Sequence, residues 1–234
     1  MFEYKISELT FSGGETLYVG DASVIIFVGA NSCGKSQTLR DIGGHVGLKG
    51  ENRDGRVVTE LKFEHTIDAV DFRGWVDENT YPDQTKTYRQ YYQDGQSRLT
   101  LPPDNIEVLI KQKNYERFAP LLVREITASG RLNLLMQVEA LELFENAPRH
   151  DLHRLEMNDE VLAEVREQIR NNFMTDVTMS RGGRFRYLRV GAEPTVGIDR
   201  LSSDYRKEQS KLPKLRDAGD GLRSFTGCLV ALNV

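Results

Sequence analysis

The chain has 234 residues, 39% hydrophobic and 28% charged, and its 31 Lys and Arg against 35 Asp and Glu leave a formal charge of -4. That length suits one good core with an elaborated insertion, and that balance excludes a global basic field drawing the chain onto nucleic acid or anionic lipid. The opening MFEYKISELTF has no basic stretch leading into an apolar one, and the longest apolar run, around Val24–Ala30, is too short to span a bilayer. Cys33 and Cys228 form no metal-type pair. The expectation is a cytoplasmic protein with reduced thiols and no membrane segment.

In chain order, residues 2–10 alternate apolar and polar, and after Gly13-Gly14 comes Thr16-Leu17-Tyr18-Val19, which predicts a β-hairpin. Val24–Val28 is a continuous β-branched and aromatic run, the pattern of a strand buried on both faces of a mainly parallel sheet. Lys35 to about Val46 predicts a helix ended by the glycines at 43, 44 and 47, and Val57–Phe63 another strand. From about His65 to Glu125 the pattern loosens into an insertion with its own strands and loops, resuming order at Asn105–Lys113 and Tyr115–Ile126. Asn158 is a candidate N-cap for a helix over Asn158–Phe173, with Val161, Leu162, Val165, Ile169 and Phe173 at helical spacing. Arg181-Gly182-Gly183-Arg184 turns between strand-like Asp176–Met179 and Phe185–Val190. Residues 199–216 are polar, and an apolar helix over Leu222–Leu232 closes the sequence.

Gly29-Ala30-Asn31-Ser32-Cys33-Gly34-Lys35-Ser36 fits G-x-x-x-x-G-K-[ST], with an apolar run before it and an amphipathic pattern after it. The two glycines let a backbone wrap around phosphate with its N–H groups inward, and a helix N-terminus adds positive potential there. Lys35 would reach the β- and γ-phosphates, the Ser36 hydroxyl would ligate Mg²⁺, and Gln37 follows in the first helical turn. The implied cofactors are ATP and Mg²⁺. Cys33 occupies a variable position, where a small neutral side chain suffices.

The letters G-x-N-x-x-G-K-S, preceded by a hairpin starting near residue 2, resemble the ABC-type ATPase heads of the SMC, RecF and OLD group within the AAA-family ATPases. The resemblance implies an α/β P-loop fold, a mixed sheet with an antiparallel β subdomain and an insertion, and it places Asn31 beside the γ-phosphate. Near the other end, "LRDAGDGLRSF" puts Asp217, Gly219, Asp220 and Gly221 before an apolar helix. Alone this is a turn with a capping Asp. Beside the phosphate loop it resembles the degenerate signature motif of the same group, which implies that Gly219, Gly221, Arg223 and Ser224 face the nucleotide held by a second head. ATP-sandwich pairing of heads therefore implies a homodimer or larger oligomer, and the group's biology implies DNA repair or anti-phage defence through an effector nuclease or other partner. The group's Q-loop glutamine, which senses Mg²⁺ and the attacking water, has Gln137 as its candidate here, although an ordinary polar residue reads the same. The apolar strand ending in Asp-Glu, which the group uses as Walker B, is missing: "NDE" at 158–160 opens a helix and "VDE" at 76–78 lies in the polar insertion. The resemblance thus covers the front part of such a head, and the expectation is either a piece of an ordinary ATPase or a non-hydrolysing module completed by another chain.

The segments read as residues 1–64 (hairpin and phosphate loop), 65–150 (insertion) and 151–234 (helix, hairpin and signature-like motif). Tyr81, Tyr88, Tyr91 and Tyr92 with Lys86 and Arg89 could stack on single-stranded nucleic acid, diluted by Asp83 and Asp94. Arg181, Arg184, Arg186 and Arg189 form a better basic stripe, or simply a solvated strand face. His150 and His153 fall short of the three or four ligands a zinc site needs.

Overall fold

The structure, a computed structural model, describes residues 3–20, 24–46, 55–83, 85–93, 96–124, 126–133, 135–142, 146–181, 183–194 and 202–233. Phe2, Gly47, Asp94, Gly182 and residues 199–201, which figure in the sequence reading, lie outside them. The chain forms two compact units, one of residues 1–82, 86–91 and 99–125, the other of 83–85, 92–98 and 126–234. Both mix helices with small sheets, and every strand pair with a described register is antiparallel.

The first unit opens on the expected hairpin. β1 (Glu3–Phe11) pairs with β2 (Thr16–Tyr18) across a turn where Gly14 takes φ 85°, and its other edge pairs with β3 (Val58–Thr66), giving the order β2-β1-β3. Between β2 and β3 lies α1 (Lys35–His45), which runs through Gly43 and Gly44 and is capped by the Val46 N–H on the Ile42 carbonyl. There follow α2 (Ala69–Asn79), β4 (Tyr81–Pro82), β5 (Arg89–Gln93), β6 (Gln96–Leu101), α3 (Pro103–Lys111) and α4 (Ala119–Leu122). Asp68 caps α2, its carboxylate accepting from the N–H groups of Val70 and Asp71 at 2.9 and 3.0 Å. The core gathers Phe72 and Val76 of α2, Leu99, Ile106 and Ile110 of β6 and α3, and Tyr115 and Phe118. Phe72 sits edge-on to both Tyr115 and Phe118 at 5.3 and 5.2 Å, the arrangement that aromatic quadrupoles favour.

The second unit comprises α5 (Ala128–Asn133), β7 (Val138–Glu139), α6 (Asp151–Met157), α7 (Asp159–Phe173), β8 (Val177–Met179), β9 (Phe185–Arg186), β10 (Leu188–Val190), α8 (Ser203–Lys211) and α9 (Asp220–Asn233). Here α7 matches its sequence pattern: the Asn158 side chain accepts from the Val161 N–H at 3.0 Å, and Leu162, Val165 and Ile169 are buried on one face. The strand expected over Phe185–Val190 is instead two short pieces with different neighbours, β9 on β7 and β10 on β8. The polar stretch 199–216 contains α8, capped by Ser202 and anchored by buried Tyr205 and Gln209. α9 packs against α5, α6 and α7.

His153 on α6 is buried, with Nε2 2.8 Å from the Glu139 carbonyl and Nδ1 accepting from the Arg149 N–H. Burial lowers its pKa, outweighing the pull of the Glu139 carbonyl. A histidine held neutral in the folded chain binds a proton more readily when unfolded, so its share of stability is present at neutral pH and is lost as pH falls through the unfolded value, about 6.5. The expected result is that His153→Gln loses less melting temperature than the parent between roughly pH 7 and pH 5. Parallel pH profiles for the two proteins would contradict it.

Candidate functional site

The stretch from Val24 to Val28 departs from its sequence expectation. It forms no strand, and no backbone hydrogen bond joins it to another described residue. Val24, Ile26 and Val28 are 74, 77 and 85% exposed. An apolar β-branched run demands cover on both faces, but the cover has to come from neighbouring strands, and β1, β2 and β3 pair among themselves instead.

At the end of this run the chain wraps into the loop 29–36. Ser32 and Gly34 take φ 64° and 94°, the left-handed conformation that recurs in anion-binding backbone nests. Gly34 is the N-cap of α1, and a left-handed cap with no side-chain bond is a position that glycine fills without steric cost. A Cβ on Gly29 would fall 2.7 Å from Cys33 Sγ. The Lys35 ammonium folds back over the loop, donating to the carbonyls of Gly29 and Ala30 at 2.7 and 2.6 Å, with Cys33 Sγ at 3.5 Å. Among the described residues no carboxylate pairs with Lys35, and the first turn of α1 carries no acidic residue. The positive end of the helix and the lysine therefore share one exposed rim with Asn31, Ser32 and Ser36.

The position of α1 is fixed by a residue that the sequence reading passed over. Asp41 is buried, and its Oδ2 accepts from the N–H groups of Val57 and Val58 at 2.7 and 3.0 Å, while Oδ1 accepts from Gln37 Nε2 at 2.7 Å. Burial pushes its carboxyl up, but the Val57 N–H, Gln37 and the neighbouring amides outweigh it and hold the pKa below the usual range. His45 adds a bond at 2.9 Å to the Val58 carbonyl. So α1 is pinned to the start of β3, and the amide of Gln37 is turned along the helix to Asp41. Asp41→Ala leaves two backbone donors without their acceptor and should cost about 3 kcal/mol in urea unfolding; a loss below about 1 kcal/mol would show that water replaces the carboxylate.

The remaining sequence candidates lie in the second unit. Gln137 is exposed and directly precedes β7. Gly219 and Gly221 are exposed at the start of α9, where the Gly219 carbonyl accepts from the Arg223 N–H at 3.1 Å. Arg223 donates through Nη1 to the Asp220 carboxylate at 3.2 Å, so an anion approaching this helix end meets a cation already shared with an acid. "VDE" lies on α2, where Asp77 pairs with Arg73 and Arg89, and "NDE" opens α7; neither ends a strand.

The arginine stripe is committed internally. Arg181 pairs with Asp159, Arg184 with Glu139 and Arg186 with Glu156, and Arg189 donates to the carbonyls of Ser210 and Leu212 and to Tyr187 Oη. Arg89 likewise turns to Thr80 and Asp77. Three guanidiniums of the stripe are thus paired with acids remote in sequence, and the fourth, Arg189, is held by carbonyls and a phenol. Among the described residues no group of three or more His, Cys, Asp or Glu gathers to hold a metal ion, and no helix is long and apolar enough to cross a membrane. No protein-family model, curated protein or solved structure matches the chain.

Proposed function

We propose that residues 29–36 hold the phosphates of Mg²⁺-bound ATP, in a cytoplasmic nucleotide-binding head of the SMC, RecF and OLD type with the P-loop α/β fold. The observation that carries this is Lys35 folded onto the Gly29 and Ala30 carbonyls over left-handed Ser32 and Gly34, at the acid-free start of α1. The donor set fits the ligand. Backbone N–H groups and the ammonium suit phosphate oxygens, and the exposed Ser36 hydroxyl suits Mg²⁺. When bound, Mg²⁺ bridges phosphate oxygens and neutralises their charge. Lys35 exchanges two carbonyl acceptors for phosphate oxygens, and Asn31 lies on the rim where a side-chain amide can orient the terminal phosphate. On the same reading Gly219, Gly221 and Arg223 of a second copy complete the nucleotide site, Gln137 attends the Mg²⁺, and the paired heads couple nucleotide state to DNA repair or anti-phage defence through a partner.

A second reading, a nucleotide-sensing module that does not hydrolyse on its own, is favoured by two observations. Val24–Val28 is an apolar run without strand neighbours among the described residues, and neither Asp-Glu pair of the sequence, at 77–78 and 159–160, follows an apolar run. In this reading another chain supplies both the neighbouring strand and the carboxylate that polarises water. A general base contributes about 10²- to 10⁴-fold, so the isolated chain should release phosphate from ATP at near-background rates. Robust turnover that disappears in Lys35→Ala would rule this reading out in favour of the first.

A further inference from the structure

Gln37 stands at the third position of α1, with Gly34 as the cap and Lys35 and Ser36 between them. A glutamine at that position commonly turns back along its helix and accepts from an N–H group at the start. In this chain those groups are open. The first bond within α1 runs from the Thr38 N–H to the Gly34 carbonyl at 2.8 Å, so the N–H groups of Lys35, Ser36 and Gln37 have no acceptor inside the helix. A Gln37 oxygen seated on one of them would take the place of a phosphate oxygen.

Gln37 is turned the other way. Its Nε2 donates to Asp41 Oδ1 at 2.7 Å, one turn further along α1, and an ionised carboxylate can hold only the nitrogen end of the amide. Asp41 is itself fixed, because it is buried and its Oδ2 accepts from the Val57 and Val58 N–H groups at 2.7 and 3.0 Å. The two carboxylate oxygens thus have separate tasks: Oδ2 fastens α1 to the start of β3, and Oδ1 restrains the glutamine. We propose that Asp41 is a positioning residue for the phosphate loop, holding Gln37 away from the start of α1 and leaving the first-turn N–H groups to an anion.

This role rests on the loop 29–36 holding phosphate, and it is tested by calorimetric titration of the full chain with Mg²⁺-bound ATP. Asp41→Ala should bind about five- to tenfold more weakly, the equivalent of one competing hydrogen bond. The double variant Asp41→Ala, Gln37→Ala should recover the parent affinity while its urea midpoint stays as low as that of Asp41→Ala. A merely structural Asp41 would show no such recovery, since removing Gln37 restores no bond to β3. Gln37→Glu keeps both bonds between Asp41 and β3, so it decides the matter even if Asp41→Ala fails to fold. Its carboxylate cannot donate to Asp41, is repelled by it, and is drawn to the start of the helix. Binding should weaken about tenfold or more. Parent affinity in Asp41→Ala, no recovery in the double variant, or parent affinity in Gln37→Glu would overturn the proposal. If the parent binds no ATP, the phosphate reading and the role of Asp41 fall together. If the parent binds through Lys35 and any of the overturning results appears, only the role of Asp41 falls.

Discussion

Lys35→Ala should weaken binding of Mg²⁺-bound ATP by about a hundredfold or more, the cost of losing a charge-assisted contact in a preorganised anion site. Two features of the loop make this the largest functional effect expected of any single substitution. The ammonium already lies across the mouth of the loop, 2.7 and 2.6 Å from the carbonyls of Gly29 and Ala30, so it is positioned before any phosphate arrives. No carboxylate in the first turn of α1 competes for it or repels the ligand. The same substitution should hardly disturb folding, because Lys35 makes no ion pair among the described residues and its removal uncovers only carbonyls at an exposed rim. Calorimetric titration combined with a urea melt separates the two effects. Unchanged affinity in a stably folded variant would remove the lysine from the site.

Gly227→Ala should be the most damaging small substitution in the second unit. In an ordinary exposed helix interior this change gains about 1 kcal/mol. At Gly227 the added Cβ would lie 2.1 Å from the Arg131 carbonyl oxygen and 3.3 Å from Arg131 Cβ, so the backbones of α5 and α9 would have to separate. The clash is with main chain, which has no rotamer to yield, and the helix it moves carries Val230 of the buried core. The expected cost is about 3 kcal/mol. Gly221→Ala is the control: its Cβ would meet only Phe173 Cε1 at 4.0 Å, and stability should stay level or rise. If both variants melt like the parent, α5 and α9 do not approach as closely as described.

What the sequence discloses and what it conceals follow from how local the cause is. α7 was legible because its cap, Asn158, and its buried face, Leu162, Val165 and Ile169, follow one another at helical spacing within a single short segment. The turn ahead of α1 was legible because Gly34 and the helix it precedes are adjacent in the chain. Val24–Val28 was misread because composition expresses a need for cover, and whether cover exists depends on strands elsewhere in the chain. α8 escaped notice because only Tyr205 and Gln209 of its nine residues turn inward, so its polarity hid a helix that Ser202 caps. Asp41 carries no local sequence signal, since the amides it satisfies belong to residues 57 and 58. The arginines at 181, 184, 186 and 189 looked free for the same reason, their partners being remote acids and carbonyls.

The central proposal is that the loop 29–36 grips the phosphates of a nucleotide. The most direct measurement is equilibrium titration of the purified chain with ATP in the presence of Mg²⁺, followed by competition with tripolyphosphate and with adenosine. The expected result is saturable binding that tripolyphosphate displaces and adenosine does not, because on this proposal the loop N–H groups, Lys35 and Ser36 address phosphate oxygens and their Mg²⁺. No saturable binding at millimolar ATP, or displacement by adenosine alone, would contradict it.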